Sequence, residues 1–201
     1  MIENDLSRPA PAGATKPRGR RVRRIVLAAF LAIVAATPAG AAEYTDCNKE
    51  TSKDGGGKGI AVCTQLINSG RWKGLELARL YSNRSLAYTK AEKLDQALAD
   101  VDRAIRISPD YVFAYDNRGE IKRMRGEYDA AIVDFNMAIR LDPDFLAAYL
   151  DRGTAFKEMG NRKSARADFQ TVLDMKGKGR AVDEWAKKRA QELLDELGSG
   201  D

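Results

Sequence analysis

Slid against itself by 34 residues, this chain falls into register over three consecutive stretches, 77–110, 111–144 and 145–178, without a gap. One column of the register reads Tyr81, Tyr115, Tyr149, and others read Arg84, Arg118, Arg152, then Ala97, Ala131, Ala165, then Asp100, Asp134, Asp168. Self-similarity at such a period marks stacked units, each unable to bury its hydrophobic face alone. Function in such a chain is sought on a surface rather than in a single buried pocket.

The second unit shows what each one is built from. Its pattern predicts a helix over 113–125, a turn over 126–128 and a second helix over 129–141, closed by Asp142 and Pro143. Two such helices in one period make an antiparallel hairpin. Pro109 and Pro143 end their units because proline cannot continue the helix before it. Gly119 lies inside the first helix, where glycine costs about 1 kcal/mol against alanine; facing Ala131 and Ala138, it predicts a close approach of two backbones. Each arginine of the register precedes its aspartate by 16 residues, from first helix to second. A charge-assisted bond within or between hairpins is therefore available, and residues that repeat with the architecture are read as serving it.

Tyr115, Gly119, Gly126, Tyr128, Ala131, Phe135, Ala138 and Pro143 stand at the spacing of the tetratricopeptide repeat, which this stretch resembles. The resemblance covers about half the chain and implies an all-α fold, an α-solenoid of stacked helix-turn-helix hairpins. Tyr149, Gly153, Ala165 and Phe169 repeat the pattern in the third unit. Departures gather at the ends. Ser85 and Glu92 replace the two glycines of the first unit and Val101 its aromatic, while Arg162, Val172 and Gly177 replace tyrosine, alanine and proline in the third.

Flanking segments extend the stack. Residues 43–76 read as a degraded leading half-repeat whose second helix covers 60–67. Cys47 and Cys63 lie in it, and an even cysteine count in an exported chain predicts a disulfide between them. The glycine-rich loop 53–59 lacks the phosphate-loop order and a preceding strand, and reads as a flexible turn. Residues 179–201 form a capping helix and tail, with Val182, Trp185, Ala186, Ala190, Leu193, Leu194 and Leu197 expected on one apolar face.

Export is read from residues 1–42. A basic region over 16–24 precedes 12 apolar residues, 25–36, and then small residues that set a cleavage point near 41/42. That is the layout of a secretory signal peptide, and the apolar run falls short of the ~20 residues a spanning helix needs. A periplasmic destination is the expectation; an inner-membrane anchor through an uncleaved signal is the alternative. With no cysteine after the apolar run, no lipid anchor is expected.

The same segment owns all the net charge. It carries seven basic and two acidic side chains, whereas the rest carries 27 of each, so the formal +5 belongs to the address and not to the repeats. No nucleic-acid partner is expected of a neutral body. Histidine is absent from the whole chain, which removes the commonest general base and zinc ligand. No catalytic residue, metal site or cofactor is therefore assigned.

By the family resemblance, the first helices line a concave groove that takes a peptide or a partner's helix. Arg79, Ser82, Asn83 and Leu86, then Phe113, Asp116, Asn117, Glu120 and Arg123, then Leu150, Asp151, Thr154 and Lys157 are the expected lining. Some family members clamp terminal carboxylates with lysine and asparagine; Ser82 and Leu86 stand in those places here, and Asp116, Glu120 and Asp151 add negative charge. A mixed-charge or basic partner is expected instead. The leading reading is a non-enzymatic interaction scaffold of the cell envelope. The alternatives are a small-ligand-binding protein or histidine-free hydrolase using acid pairs such as Asp116 with Glu120, and a self-associating, homo-oligomeric module.

Overall fold

Alanine, glycine and aromatic columns spaced for helix packing produce helices throughout. A computed structural model of the chain describes residues 47, 56–179 and 181–198. The signal segment expected over 1–42 lies outside them.

Among the described residues eight longer helices follow one another: α1 Gly57–Asn68, α2 Gly74–Lys90, α3 Leu94–Ile107, α4 Val112–Met124, α5 Tyr128–Leu141, α6 Leu146–Glu158, α7 Arg162–Asp174 and α8 Ala181–Gly198. The three pairs α2–α3, α4–α5 and α6–α7 are the hairpins of the 34-residue register, with bounds within a residue or so of those expected for the second unit. Gly57, Lys58 and Gly59 enter α1, so the expected flexible turn is partly helical, its glycines serving the helix start.

Among the described residues, contacts run between helices no more than two apart in the chain. Within each hairpin the two helices pack along their length, and the first helices α2, α4 and α6 also pack against one another in succession. Among the described residues the second helices of successive repeats do not meet. Successive hairpins are joined by each second helix packing on the next first helix, α3 on α4 and α5 on α6, and by the contacts among first helices; a stack whose first helices meet while its second helices do not curves with α2, α4 and α6 on the inner side. That inner side is where the family resemblance places the expected groove.

The core is filled by a swap of volumes between paired helices. A Cβ built at Gly119 would lie 2.6 Å from the Phe135 ring, and one at Gly153 would lie 2.6 Å from the Phe169 ring. The glycine makes room for a fully buried phenyl group, not for a bare alanine contact as the sequence suggested. In the first repeat both partners change together: Ser85 is buried and larger than glycine, and Val101 is buried and smaller than phenylalanine. Ser85 Oγ has no hydrogen-bond partner in its buried position. The first repeat departs at its turn as well. Glu92 holds a φ of 57° where Gly126 and Gly160 take 77° and 80°, a left-handed conformation that costs a side chain about 1–2 kcal/mol.

Both ends are closed. Cys47 and Cys63 form the expected disulfide, with Cα atoms 5.1 Å apart, inside a buried cluster with Leu66 and Leu80. At the other end α8 covers Leu146, Leu150, Phe169 and Val172 with Ala186, Ala190, Leu193 and Leu197. Its buried seam starts at Asp183, however, while Val182 and Trp185 are 37% and 56% exposed. The expected apolar face is therefore rotated at its first turn. Asp183 is drawn inward because its Oδ2 accepts the Lys178 backbone N–H at 2.8 Å. Arg162, at the head of α7, donates to the Leu197 carbonyl at the end of α8, a cation placed where a helix end is negative. Its replacement of the repeat's tyrosine is thereby explained.

Candidate functional site

The inner face offers two classes of polar residue, those committed to the stack and those left to the groove. The arginine column belongs to the first class. Arg118 donates from Nε and Nη2 to Asp134 at 3.0 and 2.7 Å, and from Nη1 to Asp102 of the preceding hairpin at 2.9 Å. Arg84 grips Asp100 through two bonds of 2.6 and 2.8 Å and reaches Thr64 of the leading half-repeat at 3.0 Å. Arg152 grips Asp168 at 2.9 and 2.7 Å and donates to Asn136 behind it. Each guanidinium also lies over its own repeat's tyrosine, 5.4–5.5 Å from the rings of Tyr81, Tyr115 and Tyr149.

These bonds run both within and between hairpins. Burial disfavours the charge of Arg118, but its hydrogen bonds to Asp134 and Asp102 outweigh that and leave the group above its ordinary value. The hydrogen bonds to Asp100 and Asp168 likewise raise Arg84 and Arg152. The column is structural, as its periodicity suggested. Ala97, Ala131 and Ala165 are fully buried beside it, and Tyr115 donates its hydroxyl to the Pro109 carbonyl at 3.0 Å.

The expected groove residues divide differently. Ser82 and Leu150 are 1% exposed and line nothing. Leu150 belongs to the core under α8, and Ser82 Oγ accepts the Asn117 amide at 2.9 Å between α2 and α4, so Asn117 is partly committed too. Thr154 is turned back on its helix, its hydroxyl donating to the Leu150 carbonyl at 2.8 Å. Arg79, Asn83, Leu86, Asp116, Glu120, Arg123, Asp151 and Lys157 are half-buried, as residues in a concavity are, and Phe113 is 45% exposed. The Phe113 ring packs edge-on against Phe145, 5.1 Å between centroids.

Acidic groups dominate the stretch between α4 and α6. Arg123 holds the Glu120 carboxylate through Nε and Nη2, both at 2.8 Å, and bridges to Glu158 on α6. Glu158 was not foreseen, although it lies two helical turns beyond Asp151 on the same face. Asp116 and Asp151 face the same space without such a bridge. Burial, then the nearby Glu120, pushes the Asp116 carboxyl up to about 7. Burial, then Asp116 and Glu120, raises Asp151 well above the usual carboxylate range against the opposing pull of Arg123. No group of acidic or sulfur side chains among the described residues is arranged to hold a metal ion.

A curved stack of helical hairpins, with its repeated charges internally spent and a polar groove along its first helices, defines an α-solenoid built for recognition. Residues 119–160 match the sequence profile of the TPR repeat, and residues 78–111 and 146–178 match that of the tetratricopeptide repeat. The chain is a tetratricopeptide-repeat protein. It is similar to a thermophilic TPR protein of Thermus thermophilus, at 20% identity over 76% of this chain and 80% of that one, with a TM-score of 0.64. It is also similar to YrrB, described as a TPR protein with an unusual peptide-binding site, at 18% identity over 77% and 73% of the two chains, TM-score 0.58. The first TPR of Spaghetti (RPAP3), bound to the HSP90 peptide SRMEEVD, shares 20% identity over 61% of this chain and 97% of that one, TM-score 0.50. At these identities the likeness is one of fold.

Proposed function

We propose that this protein is a non-enzymatic interaction module of the bacterial cell envelope, exported by its 1–42 segment and holding an extended peptide or a partner's helix along the inner face of α2, α4 and α6. One observation carries the reading. The repeated charges close on one another, while Phe113 stands 45% exposed at the head of a half-buried polar row; an aromatic so placed is an anchor for a ligand's apolar side chain. The HSP90 peptide bound by the first TPR of Spaghetti (RPAP3), and the peptide-binding site described for YrrB, support a peptide-binding use of such a fold. A disulfide near the start of the repeats fits an oxidising compartment.

Position-specific crosslinking tests it. A photoreactive residue at Phe113 is expected to capture a defined envelope partner, whereas the same residue at Val133, 65% exposed on the outer helix α5, is expected to capture none. Capture from Val133 with none from Phe113 would sink the groove assignment.

Self-association is the second reading, favoured by the exposed Val182 and Trp185 on α8. Light scattering decides it: a Trp185→Ser chain that changes from dimer to monomer establishes it, and a monomeric parent removes it.

A further inference from the structure

Successive steps along the inner face are tied by polar contacts between first helices. Asn117 on α4 donates to Ser82 on α2 at 2.9 Å. Arg123 on α4 joins Glu120 to Glu158 on α6. Lys157 on α6 pairs with Glu196 on α8. Asp116 on α4 and Asp151 on α6 make the same step one turn from the Arg123 bridge, but no cation of the described residues joins them. Asp116 Oδ1 is sealed from solvent and has no hydrogen-bond partner. A buried carboxyl oxygen left without a partner is costly, and a cation reaching the part-exposed Asp116 side chain would relieve that cost.

We propose that the partner supplies this cation: a lysine or arginine side chain of an extended peptide enters between Asp116 and Asp151 and completes the row of bridges between the first helices. The proposal rests on the groove reading above and names the chemistry that reading leaves open.

Three features choose a side-chain cation over other occupants. Arg123 shows how the groove holds a guanidinium, forked on one helix's carboxylate and reaching the next helix's, the geometry that a planar fork matches. A metal ion is disfavoured because the carboxylates do not converge into a coordination set. Arg123 is spent on Glu120 and Glu158 and forms no ion pair with Asp116 or Asp151, its pull on Asp151 being outweighed. The exposed face of Phe113 lies one helical turn before Asp116 on α4, so a basic residue followed by an apolar one along an extended peptide reaches both contacts. An acidic segment would add like charges to the pair and is rejected.

The test uses the full chain, a phage-displayed random peptide library, and synthetic copies of the enriched peptide. Enriched sequences are expected to share arginine or lysine at one fixed place, and replacement of that residue by citrulline or acetyl-lysine is expected to weaken binding by about tenfold or more. In the Asp116→Asn/Asp151→Asn chain the basic and neutral peptides are expected to bind within about twofold of each other, with the thermal midpoint held or raised, which separates loss of recognition from loss of fold. Enriched peptides that are acidic or purely apolar would overturn the cation while leaving the groove reading intact. Calcium alone raising the midpoint and displacing the basic peptide would assign the pair to a metal. No enrichment at all would overturn both readings.

Discussion

At the scale of single residues, Asp116 carries a cost that the fold accepts. Its carboxyl titrates at about 7 in the folded chain against 3.8 for the free group. Between those values the native state holds a proton that the unfolded chain has lost. The contribution of Asp116 to stability therefore falls as pH rises from about 4 to about 7 and levels off above that window, the reverse of a salt-bridged aspartate. Asp116→Asn is expected to stabilise the chain by about 1–2 kcal/mol at about pH 8, after allowance for solvent in the groove, and to flatten the pH slope below 7. Thermal melts of both chains across that range check it; parallel curves would show that Asp116 contributes no such term. The sequence had already placed Asp116, Glu120 and Asp151 together on α4 and α6, because spacings of three, four and seven fix a helical face. It could not show that Arg123 would be spent on Glu120 and the unforeseen Glu158 and leave Asp116 and Asp151 unbridged, since that depends on side-chain reach across an interface.

At the scale of the element, the glycine of the first helix and the aromatic of the second are one unit of volume. Phe135 and Phe169 fill space that Gly119 and Gly153 leave, and Ser85 with Val101 divides the same space differently. Val101→Phe alone overpacks the first repeat and is expected to cost about 1–3 kcal/mol. Ser85→Gly alone loses packing and helix propensity. Together they rebuild the pairing of the later repeats and are expected to show a favourable coupling of at least about 1 kcal/mol in a double-mutant cycle by urea unfolding. Strict additivity would mean that the two positions do not share a space. Helix boundaries were legible within a residue or so here, because turn glycines and prolines punctuate the period. Partners across the hairpin were not: register places Gly119 opposite both alanine and phenylalanine, and only the ring's direction decides. The capping helix shows the same limit, since hydropathy pulls Val182 and Trp185 inward while a single backbone hydrogen bond to Asp183 turns them out.

At the scale of the whole molecule, every helix leans only on its neighbours, so stability is a chain of local interfaces rather than one shared core. The leading half-repeat is the weakest link by size, and the disulfide across 16 residues braces it. In the chain-entropy model such a loop is worth about 3 kcal/mol. Cys47→Ser/Cys63→Ser is expected to lose that locally: hydrogen exchange should accelerate first in α1 and then in α2, with α7 and α8 unchanged. Uniform acceleration along the chain would mean that the array unfolds as one block.

The splayed outer helices have a mechanical meaning as well. The second helices of successive repeats do not touch one another among the described residues, but each packs against the first helix of the next hairpin, so the angle between hairpins is set by those joints together with the inner seam. The width of the groove is then an adjustable dimension, set by those joints and by the cross-helix bonds along that seam, and an occupant that bridges Asp116 to Asp151 would tighten the arc around itself.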